Sequence, residues 1–290
     1  MTIHGPTSHR FVSQRLRLNY VDWGNEEKPP LLLIHGGRDH CRSWDWVAQE
    51  LRDDWRVIAM DHRGHGDSEW VSDGNYNIMD NVYDVAQLIH QLDLAPVTII
   101  SHSMGAAVCC RLAGIYPEMV QKLVAIEGVG PPREYHDYVA KTTFIERVRN
   151  HHAEKRKASG RIPKRYATLE EAFTRMKAEN SYLNDEQALH LTRHGVNRNE
   201  DGTFTWKFDP HLNFWPPYEL PEADSHAIWN AITAPTLLLN GADSWAENPV
   251  ETGTIRHFRN AQSIEFKNAG HWLHHDQFDL FMKTVRDFIY

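Results

Sequence analysis

Five short stretches of this chain are apolar and β-prone, show no polar alternation, and run into glycine: "LLLIHGG" (31–37), "VIAMDHRGHG" (57–66), "VTIISHSMG" (97–105), "LVAIEG" (123–128) and "TLLLNG" (236–241). A strand with one wet face alternates apolar and polar residues. A strand without alternation is covered on both faces, which is the condition of strands in a parallel sheet packed between helices. The connecting segments have helical spacing. Residues 43–51 carry Ser43 as the expected N-cap. Residues 77–94 place Ile78, Val82, Val85, Leu88, Ile89 and Leu92 on one stripe. An Ala-rich helix follows the third run and is stopped by Pro117, and residues 277–290 form a last amphipathic helix. Residues 11–24 alternate and read as edge strands, while 262–271 read as a further buried strand. Strands alternating with helices define an α/β fold with a mostly parallel central sheet flanked by helices.

The pattern lapses between Pro131 and Trp229. This polar, helical region, bracketed by "GVGPP" and "WPPYELPE", reads as a helical cap over residues 131–230, inserted into a core of 1–130 and 231–290. Its aromatic residues Phe204, Trp206, Phe208, Phe214, Trp215, Tyr218 and Trp229 gather in its second half. They either line an apolar pocket or pack cap on core. The basic run Lys155-Arg156-Lys157 with Lys164-Arg165 reads as a solvated helix face.

A net charge of −8 argues against nucleic acid or an anionic membrane as partner. No apolar stretch is long enough to span a bilayer, and the start of the chain has no signal-peptide core. Cys41, Cys109 and Cys110 make no disulfide framework, because the last two are adjacent. These features lead to the expectation of a cytoplasmic protein, monomeric or homodimeric. The nineteen histidines form no zinc-ligand spacing, and there is neither a phosphate-binding glycine loop nor a dinucleotide fingerprint. No metal and no cofactor is expected.

Chemistry is concentrated in Ser101-His102-Ser103-Met104-Gly105. In G-x-S-x-G a strand turns sharply into a helix and presents the central serine at the tip. Here Ser101 replaces the first glycine as a small spacer, a buried strand precedes and a helix follows, so Ser103 is the expected nucleophile. A serine hydroxyl needs a base. In this architecture the base comes late in the chain, and His271, after a strand and a glycine, fits that place. His274 and His275 fall at the start of the last helix.

With "LIHGG" and "DHRGHGDS" added, the chain resembles the α/β-hydrolase superfamily, of the epoxide-hydrolase, haloalkane-dehalogenase and small-esterase type, over roughly 20–130 and 232–290. The resemblance implies an oxyanion hole from the N–H groups of Gly37, after His35-Gly36, and of Met104. It implies that the loop from Asp61 to Ser68 is structural. It leaves two candidates for the acid. Asp243 lies one residue short of the usual place, which here holds Ser244. Glu127 ends the strand after the nucleophile helix, where some relatives carry the acid. Arg38, His102, Trp206, Phe214, Trp215 and Trp272 are candidate pocket residues.

Serine at the elbow sets the chain apart from the dehalogenases and epoxide hydrolases, which use aspartate there. It suits acyl transfer on a small-molecule carboxylic ester, thioester or lactone. A C–C hydrolase or lyase using the same triad is the alternative. A non-catalytic small-molecule receptor on the same fold is the alternative from another class.

Overall fold

The computed structural model describes residues 5–213, 216–218 and 220–290. The chain opens with β1 (Thr7–Ser13) and β2 (Leu16–Asp22), then β3 (Pro30–Ile34), α1 (Asp45–Leu51), β4 (Arg56–Met60), α2 (Ile78–Gln91), β5 (Val97–His102), α3 (Met104–Ile115) and β6 (Val120–Ile126). Next come α4 (Arg133–Lys141), α5 (Phe144–Ala158), α6 (Leu169–Glu179), α7 (Asp185–Gly195), β7 (Val196–Arg198), β8 (Phe204–Trp206) and α8 (Glu222–Ala231). The chain closes with β9 (Thr236–Gly241), β10 (Ala261–Phe266), α9 (Leu273–Asp276) and α10 (Phe278–Ile289).

Eight strands form one sheet in the order β1-β2-β4-β3-β5-β6-β9-β10. The β1–β2 and β2–β4 pairs are antiparallel, and the others are parallel. Successive side chains on a strand leave by opposite faces. Thus Leu32 and Ile34 of β3 enter a cluster with α2, α3 and Trp229 of α8, while Leu31 and Leu33 enter a second cluster with α1 and α10. Having two cores explains the lack of alternation in the sequence.

Four local expectations differ from the structure. Ser43 does not cap α1: a 3₁₀ turn spans Cys41–Trp44, and the Ser43 hydroxyl donates to the His40 carbonyl at 2.9 Å. β10 is the sheet edge and only part-buried, with Ile264 39% exposed, so it is not a buried strand. His274 and His275 lie on α9, a separate turn of helix before α10. The region 131–230 contains an antiparallel ladder, Val196↔Trp206 to Arg198↔Phe204. Strands of three residues are too short to display a period of two.

Several histidines are buried. Burial and neighbouring imidazoles hold His35, His102 and His274 well below the ordinary histidine range and bring His62 and His275 to about 3, and burial brings His65 to about 4. These rings are neutral when folded, while the unfolded chain takes up protons below pH about 6.5. Stability is therefore full above that pH and falls as pH drops toward 3–4, by up to about 1.4 kcal/mol per pH unit for each titrating ring. Asp276, pushed up to about 6 mainly by burial, acts in the opposite sense between pH 3.8 and 6 and offsets one histidine. Thermal unfolding is expected to show a steep fall in Tm from pH 6.5 to 5. A Tm flat over that interval would mean that these rings are solvated.

Candidate active site

Ser103 occupies the turn between β5 and α3 with φ 52° and ψ −120°, a backbone setting that costs a non-glycine residue about 1–3 kcal/mol. Close packing on both sides holds the turn. The Ser103 N–H donates to the Ile126 carbonyl at 2.7 Å. A Cβ on Gly105 would lie 2.4 Å from the His35 carbonyl oxygen, and one on Gly128 would lie 2.0 Å from that of Ser103. Ser101 is accommodated because its hydroxyl donates to the Val124 carbonyl at 3.0 Å. Gly128→Ala drives a methyl into the elbow's own backbone. It is expected to cost about 1–3 kcal/mol, read as a lowered urea midpoint with unchanged slope. A midpoint equal to wild type would show that the elbow yields freely.

The His271 ring reaches back over this turn. Its Nε2 lies 2.9 Å from Ser103 Oγ, and its Nδ1 lies 3.0 Å from Glu127 Oε2. Glu127 follows β6 with φ 58°, and its carboxylate is fully buried. A buried carboxylate needs donors. Oε1 accepts from the Gly241 N–H at 2.5 Å, and Oε2 accepts from the Ser244 hydroxyl in a short contact. The loop after β9 thus supplies a hydroxyl to the carboxylate that comes from β6. Asp243, the other candidate, is exposed and accepts from the Tyr182 hydroxyl at 2.9 Å. Ser103, Glu127 and His271 arrive on loops after β5, β6 and β10, at the carboxyl ends of parallel strands. Three loops therefore converge on one edge of the sheet.

The other candidate residues are scattered. Gly36 and Gly37 pass close to the elbow: a Cβ on Gly36 would sit 3.0 Å from Ser103 Cβ, and one on Gly37 4.0 Å from Met104 Cβ. Met104 is the first residue of α3, where a helix leaves its N–H without an internal acceptor. Arg38 is exposed, with φ 60°. His102 does not line an open pocket: it is 1% exposed, and its Nε2 donates to the His271 carbonyl at 2.8 Å, steadying the loop that carries that ring. Trp206 packs within the region 131–230, donating from Nε1 to the Tyr166 hydroxyl at 3.1 Å and stacking on Phe208. Trp272 is half-buried among Phe173, Met176 and Leu183. Phe214 and Trp215 lie outside the described residues.

Four members of the basic run have partners: Lys155 with Asn75, Lys157 with Glu154, Arg165 with Asp201, and Lys164 over the Tyr166 ring. Two neighbours of His271 escaped the sequence reading. Trp245 lays its ring 4.5 Å from that of His271, and Asp276 accepts from the Gly270 N–H at 2.8 Å. The "GHWLHHD" stretch contains the second signal, a carboxyl five residues past His271.

A sheet covered on both faces, with a serine elbow, a histidine and a buried carboxylate at its carboxyl edge, defines a hydrolase class. A family model for the alpha/beta hydrolase fold matches residues 29–278, and the chain belongs to that family. A "serine hydrolase-like protein" of Danio rerio is 32% identical over 193 residues, covering 66% of this chain and 58% of that protein. The chain thus spans less than two-thirds of that relative's length. "Esterase Rv0045c" of Mycobacterium tuberculosis is 25% identical over 293 residues, 98% of this chain and 90% of the esterase. Among solved structures, the thioesterase domain from the curacin biosynthetic pathway superposes with a TM-score of 0.83 at 20% identity, covering 98% of this chain and all of that one. At that identity the likeness concerns the fold. Among the described residues no helix is long and apolar enough to cross a membrane.

Proposed function

We propose that this chain is a serine hydrolase that cleaves a small carboxylic ester or thioester through an acyl-enzyme on Ser103. The observation that carries this reading is the continuous hydrogen-bonded line Ser103 Oγ–His271 Nε2, His271 Nδ1–Glu127 Oε2, at 2.9 and 3.0 Å. In the first step Ser103 Oγ attacks the substrate carbonyl as His271 Nε2 takes its proton. Glu127 holds the ring in the tautomer with Nδ1–H and faces the positive charge that develops on it. The N–H groups of Gly37 and Met104 receive the oxyanion, and each such donor is worth roughly 2.7–4 kcal/mol of barrier. Imidazolium then protonates the leaving alcohol or thiol. Water, deprotonated by the same ring, releases the acid in the second half. The region 131–230 serves as the lid. The esterase and serine hydrolase-like relatives support the reading.

The test is rapid mixing with p-nitrophenyl butyrate. One equivalent of p-nitrophenolate is expected in a burst, together with a butyryl mass increment on the Ser103 peptide. A burst whose acyl group maps to another residue, or no turnover across a panel of acyl chain lengths, would overturn the proposal.

A further inference from the structure

Histidine also gathers outside the Ser103–His271 line. Asp45, the first residue of α1, His190 and His194, one turn apart on α7, each bring a ligand-capable atom within 4.8 Å of the others. His190 Nε2 is already 3.1 Å from Asp45 Oδ2. In a tetrahedral site with bonds of about 2.0–2.1 Å, neighbouring donor atoms stand about 3.3 Å apart, so only His194 needs to swing inward.

We propose that Asp45, His190 and His194 form a three-ligand site for a divalent transition-metal cation such as Zn²⁺, clipping α7 to the start of α1. The donor set argues for that class of ion. Two imidazoles and one carboxylate suit zinc, cobalt, nickel or copper, whereas magnesium and calcium take mainly oxygen ligands. The i, i+4 spacing puts both rings on one face of the helix. Arg42 grips Asp45 through Nε at 2.8 and 2.9 Å and Nη2 at 2.6 Å, fixing the carboxylate as outer partners do for metal ligands. Oδ2 also lies 3.1 Å from His190 Nε2, and the cation would replace that contact. In the metal-free chain His190 Nε2 lies 3.1 Å from both Asp45 Oδ2 and the Arg42 carbonyl oxygen, so it carries the proton there, and a bound cation takes the place of that proton.

Two further observations fit a bound ion. His194 makes no hydrogen bond among those of the described residues, and its part-buried ring lies 4.6 Å from that of His190. A cavity of about 70 Å³ lies beside it, lined in part by His40, Cys41, Arg42 and Asp61. Of the three ligands only His194 lines that cavity, which gives its ring space on one side. α7 is also held by the His40 Nε2–Leu191 carbonyl bond at 2.9 Å and the Gln187 Nε2–His275 carbonyl bond at 3.1 Å. A metal would therefore tighten a contact that already exists. No spacing in the sequence could show this site, because Asp45 and His190 are 145 positions apart (190 − 45).

The test is calorimetric titration of Zn²⁺ into the metal-free full chain, paired with amide exchange. Wild type is expected to bind one equivalent, with slower exchange across residues 185–195. His194→Ala and His190→Gln are each expected to weaken binding at least about tenfold, the lower range for losing even an outer-shell partner. The metal-free Tm of each variant reports that it has folded. One control keeps the other close histidine pair out of the reading: His257→Ala removes the part-buried, stacked His226–His257 pair and should bind as wild type. Absence of stoichiometric binding in wild type would overturn the proposal. So would wild-type affinity in a folded His194 or His190 variant, or protection that leaves residues 185–195 unchanged.

Discussion

Ser103→Ala is expected to abolish the p-nitrophenolate burst and to lower kcat by about 10⁴–10⁶-fold, the range found when a serine nucleophile acting in a triad is removed. The substitution deletes one oxygen that lies 2.9 Å from His271 Nε2. It should leave the turn intact, because Ser103 is held through its backbone: its N–H on the Ile126 carbonyl, and the close approach of Gly128. Tm should therefore move little, and KM for any residual hydrolysis should stay near wild type. Residual activity within tenfold of wild type would move the nucleophile elsewhere. Ser101 would be a poor substitute, since it is buried with its hydroxyl committed to Val124.

The second large effect separates the two carboxylates. Glu127→Gln is expected to lower kcat by about 10³–10⁴-fold, since an amide opposite His271 Nδ1 favours the wrong ring tautomer and removes the charge facing the imidazolium. The Gly241 N–H and the Ser244 hydroxyl would also lose an anionic acceptor, so some loss of stability should accompany it. Asp243→Asn should change kcat by less than about twofold, because Asp243 is exposed and engages Tyr182. The reverse order of effects would return the acid to the loop after β9 and leave Glu127 as a structural carboxylate. Comparable losses in both variants would mean that the two carboxylates act together on the ring, against the geometry described here.

That Ser103 meets His271 was legible in the sequence because each is marked locally: one by a strand–turn–helix transition, the other by a strand, a glycine and a late position. The carboxylate that meets His271 had no such mark. Glu127 and Asp243 both follow an apolar strand and both precede or follow small residues. What separates them is where the side chain goes, which depends on β6 and β9 being neighbours in the sheet. His102 misled for a related reason. Its place beside the nucleophile in sequence suggested a pocket wall, yet adjacent residues leave a turn in opposite directions, and its ring lies inside against the His271 loop. The hairpin of β7 and β8 and the edge position of β10 were hidden because a three-residue strand has no readable period, and because edge or centre is a property of the whole sheet.

The sequence by itself determined the α/β class, the run of strands buried on both faces, the serine elbow and the histidine that follows the last strand. These are local: each depends on hydrophobic period, turn chemistry or order along the chain, and such signals survive without knowledge of the partners. Only the tertiary structure decided which carboxylate meets His271, that Ser244 serves that carboxylate, and that Asp45 meets His190 and His194. Those are pairings across 144 and 145 positions of chain (271 − 127; 190 − 45), and contact between residues so far apart is set by strand order and helix docking.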